Sequence, residues 1–537
     1  MTQPVVLGVD VGTGSARAAV FTPEGRRLGL GRHPIALWRP DALRAEHSSA
    51  DIWAAVRVAV RAALAEAGPV APRGIGFDAT CSLVVLDRDG HPLPVSGEDP
   101  ARDTIVWMDH RAEHEAEEAS ATGAEALRHV GGRFSPEMQV PKLMWLHRHL
   151  PEVWARAGHF LDLPDFLTWR ATGVASRSLC SLACKWSYLA HEGRWDTGLL
   201  RAVGLGGLEA EGFARVGATA LPLGVPVGQG LSAAAAAELG LPEGLPVSSS
   251  IIDAHAGGLG CLGMALDGQG LGEGTARRRV ALIGGTSSCH MALSPEPRFV
   301  PGVWGPYFSA MLPGWWLNEG GQSATGALLD HLVGTHPARA EAGAEPVFDW
   351  LNRRLAAMVP EGALPATASR GLHLYPDFHG NRSPVADPTL RGMVSGLPLS
   401  AGAEDLARLY LAAVQGIAYG TREILEALAA QGYAPDTLVA TGGDARNEVF
   451  LREHADATGC RIVLPEEPEA VLLGAAMLGA TAGGVHPALP EAMAAMSRSG
   501  RVIAPDPRAR AWHDARYRIH LRMRADQLAY RAMEAEA

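Results

Sequence analysis

The amino-acid sequence predicts an α/β protein of two related lobes, and three observations predict it. First, an apolar run at residues 4–10, a turn of Gly12, Thr13, Gly14 and Ser15, and a second apolar run at 16–21 read as strand, turn, strand. Second, the pattern returns about half a chain later, where Gly284, Gly285, Thr286, Ser287 and Ser288 separate the runs 280–283 and 289–293. An internal duplication accounts for both. Third, strand-like runs at 74–77, 247–252 and 437–440 alternate with helical periodicity. That periodicity is plain at Leu406, Tyr410, Ala413, Ile417, Thr421, Ile424 and Leu428, and shorter stretches at 49–65, 232–239 and 469–478 share it.

The glycine-rich segment 267–274, leading into Arg277, Arg278 and Arg279, marks the expected boundary between the lobes. It divides the chain into 1–266, 267–484 and a helical tail, 485–537. Seven arginines between positions 508 and 531, interleaved with Trp512, Tyr517 and Tyr530, are read as the solvated face of a helix packed on the second lobe.

A chain of 537 residues, 47% hydrophobic, suffices for a large buried core. With 47 basic against 58 acidic residues and a net charge of −11, it lacks the footprint of a nucleic-acid binder, so small molecules are the expected partners. Six scattered cysteines form no CxxC pair, which argues against a zinc ribbon or a disulfide framework and for a reducing cytoplasm. No run of 18 apolar residues and no basic leader occur, so neither membrane insertion nor export is expected.

All but two of the 47 basic residues are arginine; only Lys142 and Lys185 are lysine. A chain that uses Arg wherever a bulk cation suffices makes each retained Lys a candidate for chemistry. No Gly-Lys pair exists, which eliminates the P-loop NTPases. A strand delivering Asp10 to the turn 12–15 aims backbone N–H groups and hydroxyls at one spot, suited to phosphate oxygens, with Arg17 adding charge and Asp10 able to hold hydrated magnesium. A dinucleotide fingerprint fails, because Arg17 stands where its third glycine belongs. The second turn, 284–288, offers the same donors, and two such hairpins facing each other can clamp a polyphosphate.

A third turn, Thr441, Gly442, Gly443 and Asp444, opens a helix expected at about 446–457; its flat backbone can carry an adenine ring. Asp253 follows an apolar run and precedes small residues, leaving room for a ligand. An aspartate there is ordinarily a helix cap, but two phosphate turns in the same chain favour a general base for phosphoryl transfer to an alcohol.

These residues resemble the FGGY carbohydrate kinases, and within them the ribulokinase branch, over residues 5–484. The matching pieces are Asp10-Val-Gly-Thr-Gly-Ser-Ala-Arg17, Trp107-Met-Asp-His-Arg111, Lys142-Leu-Met-Trp145, Asp253-Ala-His-Ala-Gly-Gly258, Gly285-Thr-Ser-Ser288, Glu319-Gly-Gly-Gln-Ser323, Gly380-Asn-Arg-Ser-Pro384, Tyr419-Gly-Thr-Arg422 and Thr441-Gly-Gly-Asp444. The resemblance implies a two-lobed, actin-like ATPase fold of the ribonuclease H-like class, with ATP and Mg2+ in the cleft between duplicated lobes. Asp253 would be the base, and Asp10 with Asp253 would hold the metal. Gly12, Thr13, Gly14, Ser15, Arg17, Gly285, Thr286 and Ser287 would hold the phosphates, and Gly442, Gly443, Asp444 and Asn447 the nucleoside end. The stretch Thr80-Cys-Ser-Leu-Val84 resembles the signature of members that phosphorylate D-ribulose, which brings in Ala79, Thr80 and Cys81 as sugar contacts. Lys185, in Ser181-Leu-Ala-Cys-Lys-Trp-Ser187, resembles a lysine that ribulokinases direct to sugar hydroxyls, and a compact ammonium suits a polyol. Asp109 and Glu319 complete the sugar candidates. The expected reaction is ATP-dependent phosphorylation of the terminal hydroxyl of a pentulose, D-ribulose first. L-ribulose, ribitol or xylulose are alternatives, as is a sugar sensor without turnover on the same fold. A homodimer is left open.

Overall fold

A computed structural model describes residues 2–97 and 99–536. The first lobe is built on strands β1 (Gln3–Val11), β2 (Ser15–Phe21) and β3 (Arg27–Pro34), helix α1 (Ser49–Ala67) and strand β4 (Val70–Ala79). Helix α2 (Leu179–Lys185), strand β5 (Ile251–Ile252) and helix α3 (Asp253–Leu262) follow. The second lobe has β6 (Arg279–Gly284), β7 (Ser288–Ser294), β8 (Trp304–Phe308), β9 (Trp316–Gln322), α4 (Ala403–Ala430), β10 (Thr437–Gly442), α5 (Glu448–Thr458), β11 (Arg461–Pro465), α6 (Ala470–Ala482) and β12 (Ser499–Ile503), ending in α7 (Arg510–Ala535).

The first sheet runs β5-β4-β1-β2-β3 and the second β8-β9-β7-β6-β10-β11-β12. Within each, the leading hairpin is antiparallel, a third strand extends it antiparallel on one side, and two strands add in parallel on the other. Thus β3-β2-β1-β4-β5 and β9-β7-β6-β10-β11 have one topology, the structural form of the duplication. From Val5 to Val11, β1 is buried at every position, as expected of a central strand covered on both faces.

Helix α3 packs on α6, β6 and β10, whereas α6 packs on β1 and β4, so each sheet is covered by a helix from the other half of the chain. Their crossing requires glycine. A Cβ on Gly474 would lie 1.9 Å from the Ala256 carbonyl oxygen, and one on Gly260 would lie 2.0 Å from that of Ala470. The apolar core is therefore continuous between the lobes, including Ile251, Leu259, Val439 and Leu473.

The expected helices at 49–65, 232–239, 406–428 and 469–478 fall on Ser49–Ala67, Ala233–Leu239, Ala403–Ala430 and Ala470–Ala482. The strand expected over 247–252 is ladder only at Ile251–Ile252. Before it, Val247 makes an isolated bridge to Ile75, and the Ser249 amide turns aside to the Val225 carbonyl. Helix α7 packs on α5, α4 and the strand His373–Tyr375, with the buried Arg516 donating to the Leu372 carbonyl at 2.6 Å. No helix among the described residues is long and apolar enough to cross a membrane.

Candidate active site

The strand order β5-β4-β1 places the carboxyl ends of three parallel strands side by side. Asp10 pairs with Asp78 and Val11 with Ala79, while Ile252 pairs with Ala79, so Asp253 emerges next to both acids. Ligands of open α/β sheets sit at this edge. Here a cleft of about 470 Å³ opens between the lobes, lined by Asp10, Gly12, Thr13, Arg17, Asp253, Gly284, Gly285, Thr286, Ser287, Gly442 and Gly443. Both hairpin turns and the third glycine turn thus face one space. Thr80, Cys81, Lys185 and Glu319 line it too.

Other expected residues lie elsewhere, each for a local reason. The Ser15 hydroxyl accepts from Arg32 Nε at 3.2 Å, and neither it nor Gly14 lines the cleft. Ala79 ends β4 inside the apolar core. Asp109 is fully buried, accepting from Arg111 Nε and Nη2 at 2.8 Å each and from the Ala45 amide at 2.7 Å, which leaves it a structural anchor for the 107–111 turn. Asn447 caps α5, accepting from the Val449 and Phe450 amides, and bonds Tyr410. Asp444 sits behind the turn, accepting from Thr325 Oγ1 at 3.2 Å, and burial raises its pKa to about 7. Lys142 is buried away from the cleft, donating to the Val106 and Trp107 carbonyls at 3.1 and 3.3 Å, so it shapes the loop that carries Trp107.

The three carboxyls differ in state. Burial first, then the charge of Asp10, pushes Asp253 up to about 6, against a stabilising 2.7 Å hydrogen bond from the Ala254 amide. Asp78 is fully buried, both its oxygens lack partners, and burial with the Asp10 charge holds its pKa well above the carboxylate range. A proton kept on Asp78 can be donated to Asp10. Arg17 grips one oxygen of Asp10 and, at 2.7 Å, Glu469, so its cation is spent on carboxylates at the mouth of the turn. The other Asp10 oxygen and Asp253, both on the cleft wall, form an oxygen donor set that suits a hard divalent cation such as Mg2+.

At the far end, Lys185 closes α2 with its ammonium 4.1 Å from the Trp304 ring centre, and it makes no hydrogen bond among the described residues. Burial opposes its charge, but Cys81, Glu319 and Glu137 hold its pKa above the usual lysine value. Glu319 is buried, yet Lys185 and the hydrogen-bonded His255 hold it down to about 2. Arg382, from the second lobe, reaches across to Glu137 of the first at 3.3 Å and lies over the Trp107 and Trp304 rings.

Asp78, Trp107, Glu137, Trp304 and Arg382 were not singled out from the sequence as site residues. Trp107 and Arg382 stand inside quoted matching segments and Asp78 inside the strand before Thr80, so a signal existed. Glu137 and Trp304 had none, since only lobe packing brings them to the cleft.

Residues 5–260 match the N-terminal domain, and residues 280–483 the C-terminal domain, of the FGGY family of carbohydrate kinases. The chain is 49% identical to a human FGGY carbohydrate kinase domain-containing protein over 98% of this chain and 97% of that protein. It is 41% identical to a D-ribulokinase of Saccharomyces cerevisiae over 89% of this chain and 71% of that protein. Among solved structures, the xylulose kinase of Rhodospirillum rubrum superposes with a TM-score of 0.79 at 24% identity, covering 98% of this chain and 99% of that one, a likeness of fold. Domain matches over both lobes and these close relatives establish that the chain belongs to the FGGY family of carbohydrate kinases.

Proposed function

We propose that this enzyme transfers the γ-phosphoryl group of ATP to the terminal hydroxyl of a pentulose, D-ribulose first. The observation that carries this reading is Asp253, set in the wall of one cleft between two phosphate-suited turns on one side and Lys185 and Glu319 on the other. With a pKa of about 6, Asp253 is ionised at neutral pH yet basic enough to take the proton of an attacking hydroxyl. The backbone N–H groups of Thr13, Thr286 and Ser287 and their hydroxyls would orient the triphosphate from opposite lobes. Mg2+, held by Asp10 and Asp253, would neutralise phosphate charge when bound. Lys185 donates and Glu319 accepts at the sugar hydroxyls, while Trp107 and Trp304 wall off water. The unpaired cysteines accord with work in the cytoplasm.

D-ribulose is favoured by the likeness to the yeast D-ribulokinase and by Thr80 and Cys81 at the cleft. The test is ADP release across D-ribulose, L-ribulose, ribitol and xylulose. D-ribulose should give the highest kcat/KM, and Asp253→Ala should remove turnover by roughly 10²–10⁴-fold while ATP still binds. Substantial turnover without that carboxylate, or no sugar-dependent ADP release, refutes the reading.

A further inference from the structure

Past the sugar end of the cleft lies a second cavity of about 210 Å³, walled by both lobes. Glu137, Trp304 and Arg382 line both spaces, so these three side chains are the partition between them. Glu137 belongs to the first lobe and Trp304 to β8 of the second. Arg382 crosses from the second lobe beside Gly321 of β9, where a Cβ would lie 3.1 Å from the arginine Cδ. The contact that closes the partition is slight. Arg382 Nη2 donates to Glu137 Oε1 at 3.3 Å, and Nη1 lies 3.9 Å from Cys289 Sγ. A guanidinium has five N–H donors, and the others have no partner among the described residues.

The second cavity is polar but not a vacant anion site. Of its other cations, Arg133 pairs with Glu117 at 3.5 Å, and Arg391 donates to the Pro388 and Leu390 carbonyls. His110 lies 3.3 Å from Glu113, and the hydroxyls of Ser135 and Ser323 complete the polar wall. Charges already paired, beside hydroxyls, suit a neutral polyol. The volume is several times the roughly 30 Å³ of a water molecule, which leaves room for two more hydroxymethylene units.

We propose that Arg382 and Glu137 form a length gate, a specificity-determining pair that ends the acceptor site at five carbons and shuts off the space that the sixth and seventh carbons of a longer ketose would need. The proposal rests on the reading of this cleft as a sugar site. With the reacting hydroxyl at Asp253, the other end of the acceptor reaches Lys185 and Glu319 and then the partition, where the free guanidinium donors can bond its last hydroxyl. A longer chain must push the pair apart, which leaves the buried Glu137 carboxylate without its counter-cation. One carbon unit at a close-fitting wall is discriminated by about 10–200-fold.

The test measures kcat/KM by ADP release for D-ribulose and for the seven-carbon ketose sedoheptulose in the full-length native enzyme, Arg382→Ala and Glu137→Gln, with thermal unfolding as the check on folding. The native enzyme should prefer D-ribulose by about 100-fold or more. In Arg382→Ala that preference should shrink at least about tenfold, whereas Glu137→Gln, which keeps an acceptor for the guanidinium, should hold it within about threefold. A structural role alone lowers both values together and leaves their ratio unchanged, and that result overturns the proposal. A native enzyme that takes both ketoses equally well overturns it too. Should Arg382→Ala fail to fold, Glu137→Ala removes the other half of the pair and is read by the same ratio. If the native protein phosphorylates no sugar, the functional reading fails on its own, and the crystal structure of the folded alanine variant still decides the gate: one continuous cavity supports it, and a partition kept closed by other side chains overturns it.

Discussion

Replacing Lys185 by methionine keeps the buried stem over Trp304 and deletes only the ammonium. That group lacks a hydrogen-bond acceptor among the described residues, so its donors are free for sugar hydroxyls. A hydrogen bond to a charged group contributes about 1.5–3 kcal/mol. Two such bonds made in the transition state amount to at least about 3 kcal/mol, which at about 1.4 kcal/mol per decade is a fall in kcat/KM of roughly 100-fold. KM for ATP should hardly change, because Lys185 stands at the end of the cleft away from Gly442 and Gly443. The fold should survive: Glu319 keeps His255, and Glu137 keeps Arg382. Lys185→Arg should also fall by about tenfold or more, since a planar fork does not replace a compact ammonium against the indole. The assay is coupled ADP release with sugar varied at saturating ATP, alongside thermal unfolding. A Lys185→Met enzyme within about threefold of the native kcat/KM, fully folded, would refute the reasoning.

Activity should rise with pH through about 6, dropping about tenfold per pH unit below, because Asp253 must lose its proton to act as base. The same raised pKa means that protonation of Asp253 favours the folded state as pH falls from about 6 to 4, so the acid limb should precede unfolding; a flat kcat/KM profile between pH 5 and 7 contradicts the assignment. Gly474→Ala would put a methyl 1.9 Å from the Ala256 carbonyl oxygen and force α3 and α6 apart. The expected cost is about 1–3 kcal/mol or more in denaturant unfolding, with reduced kcat because α3 carries Asp253; native stability in this variant would show that the helices do not cross so closely.

How much was legible follows the range of the interactions. The hairpin turns at Thr13 and Thr286, the glycine turn at 442–443, and Asp253 after its apolar run are local patterns, and all line one cleft. The scarcity of lysine singled out Lys185 without any spatial information. Asp109 and Asn447 stood in the right segments, but a carboxylate or amide is satisfied by whichever partner packing supplies. Here Arg111 and the first turn of α5 take them.

By itself, the sequence determined the two strand–turn–strand units, their repetition and the acid that follows the third parallel strand of the first sheet, because backbone turns and alternation of apolar residues are encoded within a few positions. Only the tertiary structure decided that α3 and α6 exchange lobes, that Asp78 stands beside Asp10 and the strand leading to Asp253, and that Glu137, Trp304 and Arg382 line the cleft with Lys185. Those outcomes depend on burial and charge between residues far apart in the chain, where the strength of each pair is set by the desolvated space the folded lobes create around it.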